Sequence, residues 1–231
     1  GVLVLWPSSS GKVARRALSR LLYGDTAAVV LGFTVLAALI SLVLTRIVIV
    51  TAISYGLSRY ALEMVIRVLV LELIPLTAAL FVAMRCTIPN GTQLALLRQS
   101  GHLARLSHAG ADPIRVELLP RAVAGVFACI TLAALSCVVA LVLAYLGVYG
   151  FSLAGLPSYT RMFGHVFAPA VTLVFVIKTV LFSLAVALIP MAAGLYDTGE
   201  RTQPDSELGG LARMFAVLLL IEIGSLVGNY Y

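Results

Sequence analysis

Charge is scarce in this chain. Of its 231 residues, 11% are charged and 61% apolar, and the mean hydropathy is +1.06. A soluble domain is about half apolar and about a quarter charged, so an ordinary globular enzyme and a disordered chain are both excluded. Cysteine is scarce as well. Cys86, Cys129 and Cys137 are odd in number and lie in or beside apolar stretches, which excludes a disulfide scaffold and suits small buried hydrophobes. No Cys or His cluster has metal-ligand spacing, so no metal is expected. Sixteen Lys and Arg against ten Asp and Glu give a formal charge of +6. No basic stripe lies on a soluble domain, however, so nucleic acid is not an expected partner. The first apolar stretch, 2–6, is too short for a signal-peptide core.

Catalytic signatures are missing too. Ser10-Gly11-Lys12 looks like a fragment of a phosphate-binding loop, but it lacks the first Gly and has Val13 where Ser or Thr would hold magnesium. The chain is therefore expected to carry no ATPase and no cofactor of its own. There is no HExxH, and His102, His108 and His165 fall in loops with no serine on a strained glycine turn inside a span.

What is present is apolar length. Crossing about 30 Å of hydrocarbon takes roughly 20 apolar residues, and five segments qualify: 26–50, 65–84, 122–146, 166–193 and 211–227. The expected fold is an all-α membrane protein of five transmembrane helices, forming a single domain over 1–231. Ahead of the first span, 8–24 carries Lys12, Arg16 and Arg20 at intervals of four, with Ala14, Ala17, Leu18, Leu21 and Leu22 opposite. That pattern predicts an amphipathic interfacial helix for an anionic membrane surface. Orientation follows from the basic residues of the short loops. With the N-terminus in the cytoplasm, the inside holds Lys12, Arg15, Arg16, Arg20, Arg85, Arg98, Arg105, Arg115, Arg121, Arg201 and Arg213. The outside then holds only Arg59, Arg67 and Arg161. The N-terminus is thus expected inside and the C-terminus outside.

The longest polar insert, 84–120, begins with Pro89-Asn90-Gly91, read as a breaker cluster. Residues 93–108 then predict a helix with Arg98, His102 and Arg105 on one face, ended by Gly110. Asp112-Pro113 predicts the next start, with Asp as N-cap and Pro at the first helical position. A helix so bracketed between two spans reads as a docking element.

Charges within the spans are the most informative residues. Glu72, Lys178 and Glu222 lie in three different spans, and Arg46 is a fourth candidate. Each costs about 2.5–3.5 kcal/mol near the membrane centre, so they must pair within the protein or line a wet cavity. These charges are read either as structural pairing of helices or as a polar lining for a headgroup or a transmission point for conformational change. Structural pairing would join Lys178 to Glu72 or to Glu222.

Glu72-Leu73-Ile74-Pro75-Leu76-Thr77-Ala78-Ala79-Leu80, followed by Arg85, resembles the ELGP-x-x-x-A-L…GR stretch of MlaE-type permeases. Ala109-Gly110-Ala111-Asp112-Pro113-Ile114-Arg115 with Leu119-Pro120-Arg121 is similar to that family's VDP-x-R…PR signature. Ile177-Lys178-Thr179-Val180-Leu181-Phe182 is similar to its IK-S-x-x-F motif, and Glu222 stands where the family often has an acidic residue. The four motifs run in family order over most of the chain. The resemblance implies a lipid-transporting ABC permease subunit of the bacterial inner membrane, paired with a second permease copy in a homo- or heterodimer. It implies a separate ABC ATPase that uses ATP and magnesium, and an MCE-domain protein outside. It also makes 93–108 the coupling helix, with Arg98, Gly101, His102, Arg105, Asp112 and Arg115 as candidate ATPase contacts.

The sequence departs from the family pattern in places. Ile74 replaces a glycine, Leu71 a frequent basic residue, and Ser100-Gly101-His102 a Thr-Glu-Gln, so the acidic contact is lost. Two rival expectations follow: a structural anchor for an MCE complex, and an ion-coupled transporter using Glu72, Lys178 and Glu222.

Overall fold

A computed structural model describes the backbone of residues 11–56, 58–108, 110, 112–196 and 204–230, and side chains from 30 onward except at 58, 59, 61, 196, 204–208 and 230. Among the described residues it is helical throughout. The helices are α1 (Gly11–Ser54), α2 (Ser58–Val65), α3 (Ile74–Val82), α4 (Ile88–Gln99), α5 (His102–His108), α6 (Leu119–Tyr149), α7 (Leu156–Val166), α8 (Pro169–Tyr196) and α9 (Pro204–Tyr230). Five stretches are long and apolar enough to cross a membrane: Val30–Ser54, Leu62–Gln99, Ile114–Tyr149, Pro169–Leu195 and Gly209–Asn229. The chain is the expected five-span, all-α membrane protein. Of the interfacial segment 8–24, residues 8–10 lie outside the described residues. The rest forms the start of α1 rather than a separate helix, and its side chains are likewise not described.

Spans 2 and 3 are longer than their apolar cores. Span 2 has 38 residues and span 3 has 36, and a helix rises about 1.5 Å per residue. Each therefore extends well beyond about 30 Å of hydrocarbon. Pro89-Asn90-Gly91 accordingly does not break the chain, correcting the sequence expectation; it sits in the first turn of α4. The physical reason recurs three times. Wide π-helical turns run over Ile66–Leu73, Ala83–Thr87 and Ile114–Leu118, each ending two residues before a proline, at Pro75, Pro89 and Pro120. Proline has no N–H for the carbonyl four residues back, and its ring collides with that carbonyl. Opening the preceding turn to i→i−5 relieves the collision without ending the helix. In lipid, a broken helix would strand several backbone groups.

The expected single helix over 93–108 is also corrected. It is two helices, α4 and α5, joined by a turn at Ser100 and Gly101, and Gly101 has φ +71°. That left-handed conformation is open to glycine without a Cβ penalty. Gly110, at φ +78°, follows α5 as expected. Asp112 takes the expected N-cap position, its Oδ1 accepting the Ile114 N–H at 3.0 Å. An unforeseen helix, α7, lies between spans 3 and 4. Its signal is legible afterwards in Leu156-Pro157, which opens it, and in the spacing of Tyr159, Met162 and Val166.

The chain divides into two compact units, each fed by segments of the long helices. The first comprises the described parts of Gly1–Val29, Leu80–Cys129 and Ser183–Leu219. Here α4 crosses α8 with almost no space between backbones: a Cβ on Gly91 would lie 2.6 Å from the Pro190 carbonyl oxygen, and one on Gly194 would strike the Gly91 carbonyl. Gly125 of α6 packs against Thr87, where a Cβ would stand 2.8 Å from Cγ2. Small residues at helix crossings are the membrane's substitute for hydrophobic driving force. The second unit comprises Val30–Ala79, Ile130–Phe182 and Leu220–Tyr231. Its core gathers Leu62, Val65, Ile66, Leu69, Val70 and Ile74 against Cys137, Ala140, Ala144 and Val166. The Tyr159 hydroxyl donates to the Leu141 carbonyl at 2.9 Å, and burial pushes its phenol up to about 12, keeping it a neutral donor.

The crossing yields a prediction. Gly91→Ala should destabilise the purified protein by about 1–3 kcal/mol, the usual cost of overpacking. Gly32→Ala, where nothing lies within 4 Å of the new methyl, should be neutral. Thermal unfolding in detergent checks both.

Candidate functional site

The charges scattered over three spans converge within the second unit. Lys178 is 2% exposed. Its Nζ hydrogen-bonds Glu72 Oε2 and lies 2.9 Å from Glu222 Oε2. The choice between Glu72 and Glu222 is resolved as both. The ammonium also donates to the Leu71 carbonyl at 3.2 Å and stands 5.7 Å from the Phe182 ring centroid. Local backbone chemistry explains the third contact. In a regular helix the Leu71 carbonyl would receive the N–H of residue 75, which is Pro75. Lys178 gives that carbonyl a donor from another helix. Asn229 completes the group, with Nδ2 3.5 Å from Glu72 Oε1. Asn229 was not among the candidates. It lies one helical face along from Glu222, at i+7, a spacing the sequence does offer.

This geometry decides what the lysine offers a ligand. Its nitrogen is enclosed by two carboxylates and a carbonyl, so it presents no free cation for a lipid phosphate. The carboxylates are the more accessible members, their side chains 14% and 15% exposed. Arg46, the fourth candidate, is exposed on α1 and joins none of the ion pairs among the described residues. It faces outward because the packed face of α1 is set by Phe33, Ala37, Ser41 and Thr45.

A second feature of the same unit is a cavity of about 720 Å³. Ile47, Val48, Thr51 and Ala52 of α1 form one side, and Tyr60, Glu63, Met64 and Arg67 the other. Its polar walls include an ion pair in which Arg67 Nε donates to Glu63 Oε1 at 3.1 Å.

In the first unit, the candidate docking residues separate. Because Gly101 breaks the helix, Arg98, His102 and Arg105 do not share one helical face, a correction to the expectation. Arg98 Nη1 donates to the Leu195 carbonyl at 2.9 Å, capping the C-terminal end of α8, where a cation is favoured. His102 lies 3.7 Å from Glu117. Arg105, exposed, donates to the Ser100 carbonyl at 3.4 Å. Arg115 lies 3.6 Å from Asp112. Glu117, not singled out in the sequence, is the acidic centre of this region, pairing Arg121 as well as approaching His102. The i, i+4 spacing of Glu117 and Arg121 was the available signal.

The chain matches the model of the Permease MlaE family over residues 20–227, nearly its whole length, and it belongs to the MlaE permease family. It is a multi-pass transmembrane permease subunit of an ABC-type transporter, a transport component that works with an ATPase partner. The comparison with curated proteins gives no match.

Removing one partner of a buried ion group costs about 3–5 kcal/mol, because the remaining charges stay buried. Lys178→Met should therefore sharply reduce the yield of monodisperse protein. Adding Glu72→Gln and Glu222→Gln to it should recover most of that yield. Size-exclusion profiles of the single and triple variants measure the difference.

Proposed function

We propose that this permease moves phospholipid or a related lipid between the bacterial inner membrane and an MCE-domain protein outside it. The single observation carrying the proposal is the cavity of about 720 Å³ between α1 and the start of span 2, whose wall is mainly apolar surface from Ile47, Val48, Ala52, Met64 and two tyrosines. Its size falls within the range of ligand sites, and its lining suits an acyl chain better than an ion or a sugar. A second permease copy, identical or not, completes the translocation path, and ATP with magnesium acts in the partner ATPase. In this reading the Glu72–Lys178–Glu222 group ties three spans together beside the lipid path, while the lysine itself does not grip the phosphate.

Charge distribution supports a cytoplasmic N-terminus and a periplasmic C-terminus. Eleven of the sixteen basic residues belong to the unit holding the 84–120 segment, the bias expected of the cytoplasmic side. Docking of the ATPase falls to the α4–α5 elbow, where Arg105 is exposed and Arg98 is committed to the end of α8.

Reconstituted with its ATPase and MCE partners, the permease should transfer labelled phospholipid to the MCE protein in an ATP-dependent manner. ATP-independent movement driven by an ion gradient would overturn the reading in favour of a coupled carrier. Arg105→Glu should lower ATPase copurification several-fold with the thermal midpoint unchanged. Arg98→Glu, by contrast, should lower the midpoint itself. Pull-down and thermal unfolding, run side by side, separate the two.

A further inference from the structure

The cavity carries more information than its size. Glu63 and Arg67 stand one helical turn apart, and both line it. Their side chains remain 28% and 27% exposed while they pair with each other. Glu63 is the second residue of span 2, which puts the pair within the first turns of the membrane, at headgroup rather than mid-bilayer depth. Apolar side chains share the wall with the pair, among them Ile47, Val48 and Met64, and Tyr55, 77% exposed, lines it too.

Two opposite charges beside apolar side chains in one cavity wall complement a molecule of the same construction: an anion and a cation held a few bonds apart and joined to hydrocarbon. We infer that Glu63 and Arg67 select phospholipids with zwitterionic, amine-bearing headgroups, Arg67 taking the phosphate and Glu63 the ammonium. This inference rests on the lipid reading above. Without lipid, each side chain satisfies the other, so neither charge is left bare in the interface. With a zwitterionic headgroup the internal pair is exchanged for two charge-assisted contacts, and the exposed tyrosine ring offers the ammonium a further attractive face. An anionic headgroup without an amine would satisfy Arg67 but leave Glu63 without a counter-charge, next to a second negative charge. The pair thus discriminates by what it repels as much as by what it attracts.

The test uses the full chain, extracted from nanodiscs containing equal amounts of acyl-matched phosphatidylethanolamine and phosphatidylglycerol. Retained lipid is quantified by native mass spectrometry. Retained phosphatidylethanolamine should exceed phosphatidylglycerol several-fold. Glu63→Gln should bring that ratio close to one with total lipid little changed, and Arg67→Gln should lower retention of both lipids. The exchanged pair, Glu63→Arg with Arg67→Glu, keeps the internal ion pair and guards against a folding artefact; it too should lose most of the enrichment. Retained lipid with an equal ratio in the unmodified protein, or an unchanged ratio in Glu63→Gln, would overturn the headgroup assignment while leaving lipid transport standing. No retained lipid in the unmodified protein would overturn both.

Discussion

In hydrocarbon a helix must satisfy its own backbone, and a charge must find its partner inside the protein. Lys178 meets both demands at one point. Its ammonium faces two carboxylates from two other spans and supplies a donor to the Leu71 carbonyl, whose helical partner position is occupied by Pro75. Span 2 can therefore carry a proline and a glutamate at mid-membrane because span 4 brings a lysine to them. Three spans are fixed in register by a single nitrogen, in a solvent that offers no hydrophobic force to hold helices together.

The same constraint shapes the rest of the backbone. Each proline in spans 2 and 3 follows a widened turn that lets the helix continue. Between spans 2 and 3 the chain changes direction at Gly101, where glycine permits it, rather than at Pro89. The consequence for function is an elbow between α4 and α5, in place of one straight docking rod. It divides the basic residues between a structural task, Arg98 on the end of α8, and an exposed one, Arg105. Where α4 crosses α8, Gly91 and Gly194 bring backbones together closely enough to exclude a methyl group. Displacement of α4 therefore cannot be absorbed by side-chain rearrangement at that crossing.

The cavity in the second unit and the buried charge group divide the polar work of the membrane interior. One is closed, its cation enclosed on all sides by acceptors. The other is an open cavity whose wall holds a part-exposed ion pair beside apolar side chains. The lipid substrate proposed above, with a charged head and a hydrocarbon body, would match the second and not the first.

Composition and periodicity alone determined that the chain is an all-α, five-span membrane protein, because roughly 20 apolar residues have few other fates. The short motifs around Glu72, Asp112 and Lys178 carried its family. The N-cap at Asp112 was equally legible, since capping depends on neighbours in sequence. Tertiary structure decided the rest. That Lys178 takes both carboxylates, that Arg46 joins none of them, and that Asn229 supports Glu72 depend on which helix faces turn toward one another. Helix continuity through Pro89 depends on the bilayer's penalty for stray backbone groups, and the break at Gly101 depends on a conformation that glycine permits but does not dictate. The cavity between α1 and α2 is likewise a product of packing: its residues lie on two helices, and no spacing along one strand of sequence encodes the space between them.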